Sequence, residues 1–246
     1  MLDRVYLKQE ARSILRGARV SPYLFTLLYL VILFVLNSVD NYVFFDSQQA
    51  VLLIERYQLP ISPAIFHAPF PGPLVTFVSV AVTLLGNVLS GGWVLYHQGI
   101  RRGEYRDYVT LFDGFAFAGK LILLGIVQAA LVFCWSLLFV IPGIIATYRY
   151  RFALFILCEN PELSALEALR LSKEQTAGFK WQLFLLDLSF LGWSFLRSLT
   201  FDILSIWIAP YMLQTELGYY QAIQSSRQPQ SRPDGDDFDD SFHSFS

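Results

Sequence analysis

Long apolar stretches without a single charged side chain constrain this chain more than any other feature. Residues 20–39, 57–100 and 121–148 contain no Asp, Glu, Lys or Arg. An uncharged, mostly apolar stretch of about 18 residues or more can cross the hydrocarbon core of a bilayer as a helix. Only 15% of all residues are charged, against roughly 25% in a soluble domain. The sequence therefore predicts an all-α, polytopic membrane protein.

The distribution of Lys and Arg predicts how the chain crosses the membrane. Basic segments lie at 1–19, 101–120 and 159–180, and cytoplasmic loops of membrane proteins carry an excess of Lys and Arg. A single crossing between 119 and 159 would leave the third basic segment outside. Two crossings, joined by a turn at Pro142-Gly143, keep it in the cytoplasm, since both residues interrupt helices.

These arguments predict a bundle of six transmembrane helices in 20–223, with both termini in the cytoplasm. The six-span arrangement places Arg149 and Arg151 inside the fourth span. A five-span alternative avoids that burial but puts 159–180 outside. The expected spans are 22–39, 74–96, 119–141, 144–159, 181–199 and 203–220.

Residues 1–19 are predicted to form an amphipathic, basic helix that lies in the membrane interface. The cations that recur every four residues along one face, and are expected to contact anionic lipid, are Arg4, Lys8, Arg12 and Arg16. The apolar face would then point into the bilayer. The alternative is a helix that docks on other parts of the same protein.

Two further segments are expected near the membrane surface. Ser164 and Glu167 form the Ser-x-x-Glu pattern of a capping box, which predicts a short interfacial helix that ends near Gln175. The segment 224–246 is polar and acidic, and it is predicted to be a disordered cytoplasmic tail because it has too little apolar surface to bury.

Ionisable residues within the predicted spans are the best candidate site. The expected cluster, at similar depth on three spans, is Arg149, Arg151, Asp187 and Glu216. Charge within a membrane is costly and is usually paired, so we expect Asp187 to contact Arg149 or Arg151. The functional interpretation is a polar pocket for an anionic headgroup or solute. The alternatives are a structural ion pair, or arginines that extend to lipid phosphates.

Catalytic, cofactor and metal sites are not expected from the residues present. The three histidines, His67, His97 and His243, lie on different segments without metal-ligand spacing. Cys134 and Cys158 fit small apolar packing residues. The basic segments are short and adjoin spans, so nucleic acid is not an expected partner.

Six motifs in the stretch from about 111 to 220 form a recognisable pattern. They are LFDGF at 111–115, WSLLFVIPGI at 135–144, LCENPELSALEAL at 157–169, SKE at 172–174, GFKW at 178–181 and FLLDLSFLGW at 184–193. With these motifs the stretch resembles the DUF975 family of uncharacterised bacterial integral membrane proteins. The resemblance implies a multi-span protein of a bacterial plasma membrane. It implies no settled activity and transfers no catalytic residue.

Two classes of function remain open at this stage. The first is a non-enzymatic membrane adaptor, assembly factor or lipid-interacting component, which would contact the bilayer, anionic lipids, and a membrane-protein partner or a second copy of itself. The second is a small transporter or permease-like protein with a polar intramembrane pocket. A membrane-embedded enzyme is disfavoured, and no cofactor is expected.

Overall fold

The computed structural model describes residues 4–45, 52, 54–58, 60, 70–200 and 202–227. No strand occurs within these ranges, so the all-α prediction is confirmed for them. A 3₁₀ segment, Tyr108–Phe117, connects the third and fourth helices. The helices are α1 Arg4–Gly17, α2 Pro22–Phe44, α3 Gly72–Arg101, α4 Ala118–Leu138, α5 Val140–Arg149, α6 Ala153–Glu159, α7 Ala165–Gln175, α8 Lys180–Leu199 and α9 Ser205–Arg227.

Four segments of the described chain are long and apolar enough to cross a membrane. They are Pro22–Phe44, Gly72–Arg101, Tyr108–Leu137 and Ile141–Glu159. Large apolar side chains on these segments stay uncovered by the protein, as Phe34, Phe77 and Phe133 show with exposures of 73%, 71% and 64%. Such contiguous apolar surface needs a lipid environment, and it indicates a membrane protein.

The expected count of six crossings is not confirmed. The predicted fifth and sixth spans, 181–199 and 203–220, lie in α8 and α9. Neither helix is among the four candidate crossings, because polar and charged residues interrupt both, including Asp187 in α8 and Glu216 in α9.

Helix starts follow the local rules of capping. The Ser21 side chain accepts a hydrogen bond from the Leu24 N–H, and Pro22 occupies the first turn of α2. The capping box expected before α7 is present, with Ser164 and Glu167 bonded reciprocally. Hydrogen bonds from the Ser164 backbone and hydroxyl hold the pKa of Glu167 below its usual value. These caps satisfy N–H groups that the first helical turn leaves without partners.

Aromatic stacking joins α2 and α3 into an antiparallel pair. The rings of Phe25 and Tyr96 stack with centroids 3.8 Å apart, and those of Tyr29 and Trp93 with centroids 5.2 Å apart. The Tyr96 hydroxyl donates to the Val20 carbonyl at 2.8 Å. The start of α2 is therefore fixed beside the carboxyl-terminal part of α3.

The glycine pair in α3 lets two other segments approach its backbone. Gly91 packs against the Leu121 side chain of α4, and Gly92 packs against the Leu111 carbonyl of the 3₁₀ segment. A Cβ atom at Gly92 would overlap that carbonyl. Gly86 lies about one and a half helical turns before this pair. A Cβ atom added at Gly86 would meet no other atom within contact distance.

We expect Gly92→Ala to lower the stability of the protein, because the Leu111 backbone would have to move. The loss should be about 1–3 kcal/mol, as for other overpacked sites, and thermal unfolding in detergent measures it. Gly86→Ala is the matched control and should cause no loss. An equal effect of the two substitutions would contradict this account of the glycine pair.

The hairpin between α4 and α5 turns earlier than expected. The chain was predicted to turn at Pro142-Gly143, but α4 ends at Leu138 and extended Phe139 forms the break. Pro142 lies in the first turn of α5, where its missing N–H is tolerated, and Gly143 packs against Ser136 of α4. The proline and glycine therefore shape the returning helix rather than the turn.

The apolar face of α1 is buried within the protein. Leu7, Ala11 and Leu15 are 6%, 0% and 3% exposed, and α1 packs mainly along α9. Glu10 pairs with Arg101 of α3 at 2.8 Å. The expectation that this apolar face points into the bilayer is therefore wrong, because α9 covers it.

The carboxyl-terminal helix is longer than the sequence suggested. α9 continues to Arg227, four residues into the segment 224–246 that was predicted to be a disordered tail. The remainder of that predicted tail, 228–246, lies outside the described residues.

Candidate functional site

The turn between α5 and α6 carries the arginine at the centre of the candidate site. Two hydroxyls of the α7 region hold this turn. The Ser172 hydroxyl donates to the Arg149 carbonyl at 3.0 Å and accepts from the Phe152 N–H at 3.1 Å, and the Thr176 hydroxyl donates to the same carbonyl at 3.2 Å. These bonds satisfy backbone N–H and C=O groups that have no partner within a helix, because the chain is not helical between α5 and α6.

Arg151 is shared by two carboxylates from different helices. Its Nη1 and Nη2 donate to the two oxygens of Asp187 on α8 at 2.5 and 2.8 Å, and its Nε donates to Glu216 on α9. The Tyr148 hydroxyl also donates to Asp187, at 2.7 Å. A bidentate guanidinium–carboxylate pair of this kind fixes geometry as well as charge.

Arg149 does not join this cluster. Its guanidinium carbon lies 5.7 Å from the centre of the Trp135 ring, and its buried Nε has no hydrogen-bond partner among the described residues. Of the four residues expected to cluster, the structure brings together Arg151, Asp187 and Glu216. The contact expected of Asp187 is made with Arg151.

The three grouped side chains carry a formal charge of −1, since one guanidinium faces two carboxylates. Their side chains are between 19% and 34% exposed. Both carboxylates already use the charge of Arg151, so the cluster offers little attraction to an anionic headgroup. The four residues expected to cluster have a formal charge of 0, and the absence of Arg149 from the cluster leaves −1.

A cleft of about 480 Å³ opens beside Arg151, between α3, α4 and the α5–α6 segment. Its volume lies within the roughly 300–1,000 Å³ that is typical of ligand sites. The polar side chains that line it, besides Arg151, are Asn87, Ser90, Gln128 and Thr147. Apolar residues such as Leu124 and Val132 complete the walls.

The hydrogen bonding of the cleft is incomplete. The Ser90 hydroxyl donates to the Asn87 carbonyl, and the Thr147 hydroxyl donates to the Gly143 carbonyl. The side-chain amides of Asn87 and Gln128 form no hydrogen bond within the described ranges. Sequence reasoning missed both residues, although Gln128 is the single side-chain amide in 121–148.

The cations of α1 lie away from this cluster. Lys8 donates to the Ser189 hydroxyl at 2.9 Å and lies 4.5 Å from the centre of the Phe190 ring. Arg12 lies over the Tyr211 ring at 5.3 Å. Arg16 is exposed in the last turn of α1, and Arg4 is its first residue. Lipid contact by these four residues stays a prediction.

The remaining residues with metal-binding or nucleophilic chemistry are dispersed. His97 is buried, with its Nδ1 at 2.9 Å from the Trp93 carbonyl, while His67 and His243 lie outside the described residues. Cys134 is exposed and Cys158 is buried. Within the part of the chain that the structure describes, no three His, Cys, Asp or Glu side chains group as metal ligands.

The apolar helices indicate a membrane protein, and one region of the chain is similar to a family of unknown activity. Residues 118–227 match the family model described as "Protein of unknown function (DUF975)", which confirms the resemblance seen in the sequence. This region includes Arg151, Asp187 and Glu216, whereas α1 to α3 lie outside it. No curated protein and no solved structure matches the chain.

The shared arginine predicts unequal and non-additive effects of substitution. Asp187→Asn leaves the Arg151–Glu216 pair in place, whereas Arg151→Gln leaves two partly buried carboxylates without their cation. We therefore expect Arg151→Gln to lower the melting temperature in detergent more than Asp187→Asn does. The double variant should be more stable than the sum of the two losses implies, with a coupling of about 0.5–3 kcal/mol. Strictly additive losses would rule out the shared arginine as an energetic unit.

Proposed function

We propose that the protein is a non-enzymatic lipid-binding component of a bacterial plasma membrane, and that the cleft beside Arg151 is its binding site. The observation that carries this proposal is a pair of amides, Asn87 and Gln128, that face the cleft from candidate membrane spans. Neither amide has a hydrogen-bond partner among the described residues. A polar group in an apolar environment is unfavourable unless it is hydrogen-bonded. A bound headgroup would supply the missing bonds.

The lining of the cleft indicates the chemistry of that lipid. The amides and hydroxyls are neutral donors and acceptors, and the one cation, Arg151, is already paired with Asp187 and Glu216. A lipid with an uncharged headgroup rich in hydroxyl groups fits this set. Apolar residues of the same cleft, Leu124 and Val132 among them, would contact the first carbons of its chains.

The proposed topology has cytoplasmic termini, with crossings by the four candidate spans. α8 and α9 then form a hairpin that enters the membrane from the cytoplasmic side, because Trp193 and Trp207 lie in the same cavity as Tyr23 at the start of α2. The bonding of Asp187 and Glu216 to Arg151 supports this, because pairing offsets part of the cost of carrying charge into a membrane. The basic segments at 1–19, 101–120 and 159–180 then all face the cytoplasm.

Cysteine labelling tests the crossing by the α4–α5 hairpin. Phe139, at the tip, is 73% exposed, and Phe139→Cys in a background without Cys134 and Cys158 should react with an impermeant thiol reagent from outside intact cells. Exposed Glu162 lies in the opposite connection, and Glu162→Cys should react only after permeabilisation. Reaction of both positions from the same side would refute the topology.

Lipid occupancy tests the cleft. Gln128→Leu and Asn87→Leu should each reduce the amount of lipid that copurifies with the protein, measured by native mass spectrometry, by about 2- to 10-fold. That range corresponds to one neutral hydrogen bond. The control is Asn37→Leu, since the Asn37 amide of α2 is already bonded to the Leu33 carbonyl. Unchanged lipid in all three variants would overturn the proposal.

A second candidate, a small transporter, is favoured by the charge cluster. Ionisable residues at membrane depth mark ion and substrate pathways in many transporters. Gln128→Cys in the same cysteine-free background distinguishes the two candidates in oriented membrane vesicles. A transport pathway predicts reaction with an impermeant reagent from both sides of the membrane. A lipid-filled cleft predicts reaction from neither side, together with protection that is lost when lipid is stripped.

A further inference from the structure

A second cavity, separate from the cleft, forms where α1 docks on the protein. It has a volume of about 260 Å³ and lies between α1, the first turn of α2, α8 and α9. Two arginines and four aromatic residues dominate its lining. They are Arg12, Arg16, Tyr23, Trp193, Trp207 and Tyr211.

The two arginines have no acidic partner within the described chain. Glu10, the one acidic residue of α1, is bonded to Arg101. Lys8 differs from both arginines because it donates to Ser189. The N–H donors of the Arg12 and Arg16 guanidinium groups are therefore available to a ligand. The preferred ligand of such a pair is a phosphate or carboxylate.

The position of the cavity matches the level of lipid headgroups. Tyr23 lies in the first turn of α2, where the longest uncharged run near the amino terminus begins. Trp193 and Trp207 are 43% and 53% exposed, although each is large and apolar. Trp and Tyr are enriched where the hydrocarbon of a membrane meets its polar headgroups. A cationic cavity with such walls is complementary to an anionic phospholipid.

We infer that this cavity binds the phosphate of an anionic phospholipid, with Arg12 and Arg16 as its ligands and the tryptophans against the glycerol and upper chains. The burial of Leu7, Ala11 and Leu15 on α9 positions both arginines. The inference uses none of the cleft residues, so it holds or fails independently of the proposed lipid in the cleft.

Short-chain lipids test the inference with the purified full-length protein in detergent. Dioctanoyl phosphatidylglycerol, dioctanoyl phosphatidylcholine and inorganic phosphate are titrated separately, and binding is followed by tryptophan fluorescence and melting temperature. Phosphatidylglycerol should bind most tightly. Arg12→Gln/Arg16→Gln should weaken that binding by about 30-fold, the loss expected for two cations near an anionic surface, while Arg12→Lys/Arg16→Lys should retain most of it.

A matched variant controls for total charge. Arg170→Gln/Lys173→Gln removes the same number of cations from exposed positions of α7 and should leave phosphatidylglycerol binding unchanged. An equal loss in this variant would show general charge attraction and overturn the site. Equal affinity for the two lipids, or displacement of phosphatidylglycerol by an equal concentration of inorganic phosphate, would also overturn it. Loss of lipid only in the Gln128→Leu variant would concern the cleft and not this cavity.

Discussion

The bonding of Arg151 to Asp187 and Glu216 organises the carboxyl-terminal half of the molecule. One guanidinium connects the α5–α6 turn to α8 and α9, since Asp187 and Glu216 follow Arg151 in the chain by 36 and 65 residues. Without the arginine, two carboxylates would remain beside an apolar bundle with no cation to stabilise them. The hydroxyls of Ser172 and Thr176 complete this arrangement because they hold the turn that presents the arginine.

The same pairing separates two kinds of polar surface. Beside the cleft, the cation Arg151 is already paired with two carboxylates, and neutral amides supply the unused hydrogen-bonding capacity. Around the α1 cavity, the arginines are uncompensated and aromatic rings surround them. The two sites are therefore complementary to different headgroups, one uncharged and one anionic, even though both adjoin helices that pack on α9.

Local sequence patterns predicted local structure well. The apolar runs and the capping box at Ser164 and Glu167 each depend on a few neighbouring residues or on one dominant force. Pairing of Asp187 with either Arg149 or Arg151 was also predicted from sequence, because charge in a membrane needs a partner, and the structure selects Arg151. The cleft at Gln128 could not be predicted from sequence, since its volume depends on how closely α3, α4 and the α5–α6 segment pack.

Other errors came from competition between elements. The sequence placed the α4–α5 connection at Pro142-Gly143, whereas the structure has it at Phe139. Proline is tolerated in the first turn of a helix as well as in a connection between helices. The packing of Gly143 on Ser136 favours the helix. The amphipathic pattern of α1 specifies an apolar face but not its partner. In the folded protein that partner is α9, which is synthesised after every other described helix. Among the described helices, the first to be synthesised therefore depends on the last for its apolar contacts. Until α9 is made, the membrane surface is the other apolar environment open to Leu7, Ala11 and Leu15.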